Sequence, residues 1–353
     1  MRIAFLDSWL QSSAEGSGTA VAIGGLQRAL LRQGIQITRL APTGQRPHNL
    51  NLRRLLFNIQ IPALLRRLRY DLVIGFDIDG FLWSGATNGT PYLTSIKGVA
   101  AEEARQEQGR IRALLWSLSR FERHNARHAA GVLTTSEYCR RAIERHYGVP
   151  VSRVRLVPEG IDLAARRAPA ARRGGDTILC VARQYPRKHV ADLLRAMPLV
   201  RQQVPRARAV IVGDGPEHAA LQRLHADLQL GASVQLLGAV PSDADVLQLY
   251  AQADVFCLPS VQEGFGIAFL EAMAAGLPVV ATNAAAIPEV VPAGQAGTLV
   301  PPGDAPALAQ ALVELLGDPQ RRRAYGQFGS QHVERYDWDR VTTTFLDQVQ
   351  PFL

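Results

Sequence analysis

Short apolar runs alternate with longer stretches of helical periodicity along most of the chain, and this predicts buried strands separated by helices. In the first half the runs Ile3 to Leu6, Ile35 to Leu40 and Tyr92 to Ile96 read as strands, an apolar strand precedes Asp77-Ile78-Asp79, and Gly131 to Thr135 and Val154 to Val157 continue the series of apolar runs. Between them fall a helix from about Thr19 to Gln33 that Gly34 ends, a helical stretch from Leu52 to Leu68 with Pro62 as an interruption, and a long helical region reaching about His128. Ser136 opens a further helix as a capping residue. The second half restarts the pattern with strands at Ile178 to Ala182, Ala209 to Val212, Val234 to Leu237, Val255 to Leu258 and Val279 to Ala281. After Asp304 come helices to about Leu316 and from Pro319 to Tyr336, then an amphipathic end carrying Trp338, Val341, Phe345, Leu346 and Val349. Strand and helix in alternation give a parallel sheet covered by helices, with ligands at the carboxyl ends of the strands.

The two series are separated by a polar stretch rich in Ala, Arg and Pro, Leu163 to Asp176, whose composition suits an exposed hinge. The expected division is a first domain over 1–162, a link over 163–176 and a second domain over 177–337. A length of 353 residues and a hydrophobic fraction of 47% are enough for two substantial cores. No apolar run reaches the roughly 18 residues that a membrane span needs. Met1-Arg2-Ile3-Ala4-Phe5-Leu6-Asp7 is too short and too soon charged for a signal peptide, so a cytoplasmic protein is expected. Cys139, Cys180 and Cys257 are far apart, which argues against a disulfide framework and against a metal cluster.

Net charge is +8 and the pI 9.8, values that invite nucleic acid or an anionic membrane as a partner. Because arginine is also the residue that a GC-rich genome favours on neutral surfaces, the charge by itself identifies no partner, and nucleic acid is not expected. Arg53, Arg54, Arg66, Arg67 and Arg69 flank the leucines of the Leu52–Leu68 stretch. A basic amphipathic helix over 53–69 permits peripheral contact with an anionic membrane; a domain helix with a solvated outer face explains the same pattern.

The chemistry concentrates between Val255 and Thr282. A strand ending at Pro259 is followed by a glycine-containing loop and then a helix that Gly276 stops before Pro278. A loop that opens a helix presents free backbone N–H groups at the positive end of the helix dipole. Gly264 and Gly266 let an anion such as a diphosphate approach that backbone. Glu271 follows among Ala268, Phe269, Leu270, Ala272 and Met273, where an unpaired carboxylate costs several kcal/mol, roughly, so it needs a donor partner. Vicinal sugar hydroxyls would supply one, as would a Lys or Arg of the chain itself. Glu263, eight residues earlier, places a second carboxylate at the loop mouth. Two hydroxyl-binding carboxylates flanking an anion-binding helix start describe a nucleotide-sugar site. Two further motifs fall at strand ends: Ala182-Arg183-Gln184-Tyr185-Pro186-Arg187-Lys188, and the turn Val212-Gly213-Asp214-Gly215-Pro216.

Glu263-Gly264-Phe265-Gly266 and Glu271-Ala272-Met273-Ala274 resemble the E-x7-E element of the retaining glycosyltransferases of family 4, and Arg183 with Lys188 resembles that family's Arg-x4-Lys. The resemblance covers nearly the whole chain, most strongly Val154 to Val300. It implies the GT-B architecture, α/β, with two Rossmann-like domains facing each other across a cleft and the last helix, 338–353, packing back on the first domain. It further implies transfer of a sugar from a nucleoside-diphosphate sugar to an acceptor hydroxyl with retention at the anomeric carbon. That donor is a substrate, and neither cofactor nor metal is expected; the acceptor is a glycan, a lipid-linked or a small molecule. Arg183, Lys188 and Glu263 would be catalytic, and Gly18, Gly213, Gly264, Phe265, Gly266, Ile267 and Glu271 donor-binding. The chain departs from the family pattern at three places. Ser17-Gly18 stand for a Gly-Gly pair, while Gly24-Gly25 lie within the helix and are expected to let it pack closely on the sheet. Lys97 follows the strand after which many relatives place a His, and Glu159 stands where an Asn is more usual. Lys97, Glu102 and Glu103 are candidates for the acceptor side, with a surface network in which they neutralise one another as the plain alternative.

Rival readings remain at this level. Asp77-Ile78-Asp79 after an apolar strand could hold a divalent metal on a diphosphate, or be an ordinary strand-to-helix loop, the reading adopted here. A nucleotide-sugar epimerase of the same two-domain shape, and a basic protein that holds nucleic acid or anionic lipid without turnover, are the alternatives to a transferase. A dinucleotide oxidoreductase fits poorly, since Val21 stands where the third glycine of Gly-x-Gly-x-x-Gly would follow Gly16-Ser17-Gly18.

Overall fold

Ile3, Ala4, Phe5 and Leu6 are all fully buried, and successive side chains of one strand lose solvent together only when both faces of its sheet are covered. The computed structural model describes residues 1–9, 18–42, 50–66, 69–84, 89–166, 174 and 176–353. The Ser12–Ser17 part of the first loop, Arg67 and most of the link after Arg166 lie outside the described residues. Two compact units are formed, Met1–Gly160 with Trp338–Leu353, and Ile161–Asp337.

In the first unit the order is β1 (Arg2–Leu6), α1 (Gly18–Arg32), β2 (Gln36–Leu40), α2 (Leu50–Arg66), β3 (Leu72–Phe76), β4 (Tyr92–Ile96), α3 (Ala100–Gln106), α4 (Gly109–His128), β5 (Gly131–Thr134), α5 (Glu137–Tyr147) and β6 (Val154–Leu156). All six strands are parallel in the order β2-β1-β3-β4-β5-β6, with Ile3 beside Ile37 on one side and Leu72 on the other. The strand order reverses between β1 and β3. Ser136 caps α5 as expected, its hydroxyl accepting from the Cys139 amide over 3.2 Å.

The second unit contains α6 (Leu163–Arg166), β7 (Thr177–Val181), α7 (Val190–Gln203), β8 (Arg208–Val212), α8 (His218–Asp227), β9 (Val234–Gly238), α9 (Asp243–Gln252), β10 (Val255–Leu258), α10 (Ile267–Ala274), β11 (Val279–Thr282), α11 (Ile287–Val290), β12 (Gly297–Val300), α12 (Ala305–Gly317) and α13 (Pro319–His332). Its sheet is also parallel, in the order β12-β11-β10-β7-β8-β9, so the reversal falls between β7 and β10. The last helix, α14 (Trp338–Val349), belongs to the first unit.

Four expectations need correction. The first four residues of the stretch read as an exposed hinge form α6, because Leu163 finds a place in the second unit's apolar core. α2 runs straight through Pro62. Gly25 does serve close packing, but against the indole of Trp338 on α14, where any Cβ would lie 2.3 Å from the ring. Most unexpectedly, α2 turns an apolar face outward: Leu52, Leu55, Leu56 and Ile59 are between 41% and 57% exposed while Arg54 is buried.

Candidate active site

Ligands of parallel α/β sheets gather at the carboxyl ends of the strands where the strand order reverses. In the second unit that point is the pair of loops after β7 and β10. Both loops are held by backbone bonds, the Val261 amide donating to the Arg187 carbonyl over 2.9 Å and the Gln184 amide to the Asp214 carbonyl over 2.9 Å. Gln184, fully buried, ties the β7 and β8 ends together: its side-chain amide donates to the Gly213 carbonyl over 2.7 Å. Gly213 has φ +123°, and a Cβ there would meet the Ala182 carbonyl oxygen at 1.9 Å, so only glycine fits this approach.

Two of the predicted residues meet here. Lys188 Nζ lies 2.6 Å from Glu263 Oε1, and the Ser260 hydroxyl donates to the same oxygen over 2.8 Å. The side chains of Lys188 and Glu263 are 17% and 8% exposed. An ammonium has three N–H donors, so pairing with Glu263 leaves Lys188 donors for an incoming anion. Arg183 is exposed, with its guanidinium 6.0 Å from the ring centre of Tyr185, and among the described residues it enters no ion pair. Gly266 occupies the N-cap position of α10 at φ +101°, and no side chain caps this helix. Its opening amides are therefore of the kind that receive anions. Gly264 and Ile267 are half-buried at this helix start. Phe265 is buried, its ring edge-on to Tyr336 at 5.4 Å, so it can contribute backbone only.

Glu271 has partners of its own. Arg166 Nη2 lies 3.4 Å from its Oε1 and the Tyr250 hydroxyl donates to its Oε2 over 3.1 Å. Burial pushes its carboxyl above the usual range, Arg166 and the Tyr250 hydrogen bond pull it down, and Asp243 pushes it up. Neither Arg166 nor Tyr250 was evident from the sequence, since both lie far along the chain from Glu271.

The first unit has its own polar cluster at the ends of β1 and β3. Asp79 accepts from the Ser8 amide over 2.7 Å, from the Ser8 hydroxyl and from the Asn58 amide group over 2.9 Å. Burial raises its carboxyl to about 6. Asp77 accepts from the Trp9 indole over 2.8 Å and from the Lys97 amide over 3.2 Å. Arg54 reaches the Ser8 hydroxyl over 2.9 Å and lies 4.4 Å over the Trp9 ring. The two aspartates thus serve protein donors within the turn after β3. Among the described residues no group of three or more His, Cys, Asp or Glu side chains is arranged to hold a metal ion.

On the acceptor side, Lys97 and Glu102 each have a partner other than one another. Lys97 is half-buried and pairs with the buried Glu159 at 3.2 Å, their side chains 8% and 5% exposed. The Lys and the Glu that depart from the family pattern are therefore partners, and Glu159 Oε2 is buried without a hydrogen bond. Glu102 is committed to α5, accepting from Arg145 over 3.0 Å and lying 2.8 Å from the His146 ring nitrogen. Glu103 directs its carboxylate to within 2.6 Å of where a Gly98 Cβ would stand. Gly18 is the exposed first residue of α1.

Residues 16–165 match the model of Glycosyltransferase Family 4 and residues 175–318 that of Glycosyl transferases group 1. The GDP-mannose-dependent alpha-(1-6)-phosphatidylinositol monomannoside mannosyltransferase of Mycobacterium tuberculosis is 35% identical over 61% of this chain and 60% of its own length. The phosphatidyl-myo-inositol mannosyltransferase of Mycolicibacterium smegmatis is 38% identical over 54% of this chain and 50% of its own length. The chain thus spans between 50% and 60% of the length of these relatives. Among solved structures, sucrose-phosphate synthase from Thermosynechococcus elongatus superposes with a TM-score of 0.82 at 22% identity, over 99% of this chain and 98% of that one. Anabaena HepE in complex with UDP gives 0.75 at 20% identity, over 99% and 100%. At these identities the likeness shows the fold: two parallel six-stranded α/β sheets of the GT-B type.

Proposed function

From the chain's membership of glycosyltransferase family 4, the group 1 glycosyl transferases, we propose that it moves a sugar from a nucleoside-diphosphate sugar to an acceptor hydroxyl with retention, in the synthesis of a glycolipid or other glycan. The observation that carries this reading is the switch-point group of Lys188, Glu263 and Ser260 beside an exposed Arg183 and the uncapped start of α10. The bond from the anomeric carbon to the diphosphate breaks, the bond to the acceptor oxygen forms, and the acceptor's proton passes to the leaving phosphate oxygen. Negative charge grows on the diphosphate as this happens, and Arg183, Lys188 and the α10 amides are placed to stabilise it. Glu263 would take hydroxyls of the transferred sugar and Glu271 those of the ribose. On the acceptor side the reading now rests on Lys97 with Glu159, because Glu102 is occupied by Arg145 and His146. Names of relatives suggest GDP-mannose or a UDP-sugar as donor and a lipid-borne inositol as one class of acceptor. Incubation with a panel of UDP- and GDP-sugars should release the nucleoside diphosphate, and EDTA should leave the rate within about twofold. Interconversion of sugars without release would indicate an epimerase. Loss of turnover in EDTA with recovery in Mn²⁺ would contradict the metal-free expectation and direct attention to Asp77 and Asp79.

Peripheral contact with an anionic membrane belongs to the same proposal, resting on the outer faces of α2 and α4 in place of the arginines of 53–69, of which Arg54 is buried. No helix among the described residues is long and apolar enough to cross a membrane. α2 contains no acidic residue and exposes Leu55, Leu56 and Ile59; α4 exposes Leu114, Trp116, Arg110, Arg112, Arg120 and Arg123 and buries its one carboxylate, Glu122. Exposed apolar side chains among cations alone suit an anionic lipid surface. Sedimentation with phosphatidylglycerol vesicles should exceed that with phosphatidylcholine. A double Arg110→Ser, Arg112→Ser variant should bind about tenfold or more weakly, at about 1 kcal/mol for each cation near the surface. Equal binding to both lipids would remove membrane contact from the reading.

A further inference from the structure

Among the described residues Glu271 Oε2 accepts a hydrogen bond from the Tyr250 hydroxyl over 3.1 Å, and Arg166 Nη2 lies 3.4 Å from Oε1 as an ion pair. A carboxylate offers about four lone-pair sites, two to an oxygen, so each oxygen keeps at least one acceptor site. Two adjacent hydroxyls, each with one proton to donate, match that remainder. A lone hydroxyl or a phosphate does not.

Both partners are themselves fixed. Arg166 ends α6, whose turn is closed by the Arg166 amide on the Asp162 carbonyl and the Ala165 amide on the Asp162 carboxylate, each over 3.0 Å. Leu163 anchors that turn in the core. Tyr250 is fully buried on α9, its ring stacked on Phe256 at 5.8 Å. The carboxylate held between them is 17% exposed, with acceptor capacity to spare.

We propose that Arg166 and Tyr250 are positioning residues for a vicinal diol: by holding one oxygen of Glu271 each, Arg166 by charge and Tyr250 by a hydrogen bond, they orient the carboxylate so that its two oxygens receive the adjacent hydroxyls of the donor's ribose. The inference rests on the reading of Glu271 as the ribose carboxylate and adds the two supports that reading lacked. Among the described residues the charged groups facing the carboxylate are Arg166, from α6, and Asp243, from α9, 3.8 Å from Arg166 and 71% exposed; the neutral Tyr250 hydroxyl stands beside them. Burial raises the Glu271 carboxyl and Arg166 is the largest opposing influence. Removing Arg166 therefore moves the carboxyl's titration to higher pH. A protonated Glu271 has lost an acceptor site, so affinity for the diol falls as pH falls through that midpoint, and the fall should begin at a higher pH without Arg166.

The test compares UDP and GDP with their 2′-deoxy counterparts, which carry the same phosphates and cancel the phosphates' own titration. The ratio of deoxy to ribo Kd is measured by calorimetry between pH 5.5 and 8.5. Wild type should prefer the ribonucleotide by about tenfold, the scale of one hydrogen bond to a charged group. Arg166→Met should lose most of that preference at the acidic end and regain it at the alkaline end. Arg166→Lys should restore it across the range, and Tyr250→Phe, which keeps the buried ring, should reduce it. A preference and pH profile in Arg166→Met that match wild type, with Glu271→Ala having lost the preference, would overturn the positioning role and leave the ribose reading intact. No preference in wild type would remove the ribose reading itself and the inference with it.

Discussion

Replacing Arg183 or Lys188 with alanine should lower kcat by about 10²-fold or more, the loss that follows removal of one donor aimed at developing charge. The two variants should differ in stability. Arg183 is exposed and among the described residues pairs with no carboxylate, so Arg183→Ala should keep the wild-type melting temperature. Lys188 neutralises Glu263, whose side chain is only 8% exposed, and removing one partner of a largely buried pair leaves the other charge uncompensated. Lys188→Ala should therefore melt earlier as well as react more slowly, and Lys188→Ala with Glu263→Gln should recover the stability without the rate. An interaction made chiefly in the transition state lowers kcat and kcat/KM together. Steady-state kinetics with the active donor read this directly; kcat values within about threefold of wild type in both single variants would show that neither cation stabilises the leaving diphosphate.

How much of this was legible in the sequence depends on the range of the interaction. The unit from Val255 to Thr282 could be read because strand, turn and helix signals are local: a run of apolar residues, glycines where φ is positive, and Gly276 before Pro278 at the helix end. The parallel sheets followed from repetition of that unit. β12 was missed because Gly297–Val300 opens on Gly and Thr and offers only Leu299 and Val300 as an apolar run before Pro301 and Pro302. The partners of the charged residues were also missed. Spacing shows that a buried Glu271 needs a donor, but the choice of Arg166 is made by α6 docking on the core, and the pairing of Lys97 with Glu159 by β4 and β6 ending on either side of β5. α2 teaches the opposite lesson. Its leucines predict an inward face, yet the buried Asp79 draws in Asn58 directly, and Arg54 through Ser8 and the Trp9 ring. A buried charge left unpaired costs more than a few exposed leucines, so the inward face of α2 combines Arg54 and Asn58 with the apolar Phe57, Ile61 and Leu65.

In the proposed nucleoside-diphosphate site, at the carboxyl ends of β7 and β10 with α10, Glu271 would hold the ribose and Glu263 the sugar. Two hydrogen bonds to a charged group, at about 1.5 kcal/mol each, correspond to roughly 100-fold in affinity. Glu263 makes no ribose contact in this account, so its loss should spare the nucleotide. Calorimetric titration of UDP and GDP into wild type, Glu271→Ala and Glu263→Ala separates the two carboxylates in one experiment. The account predicts a Kd raised about 100-fold in Glu271→Ala and within about threefold of wild type in Glu263→Ala; equal nucleotide affinity in wild type and Glu271→Ala would contradict it.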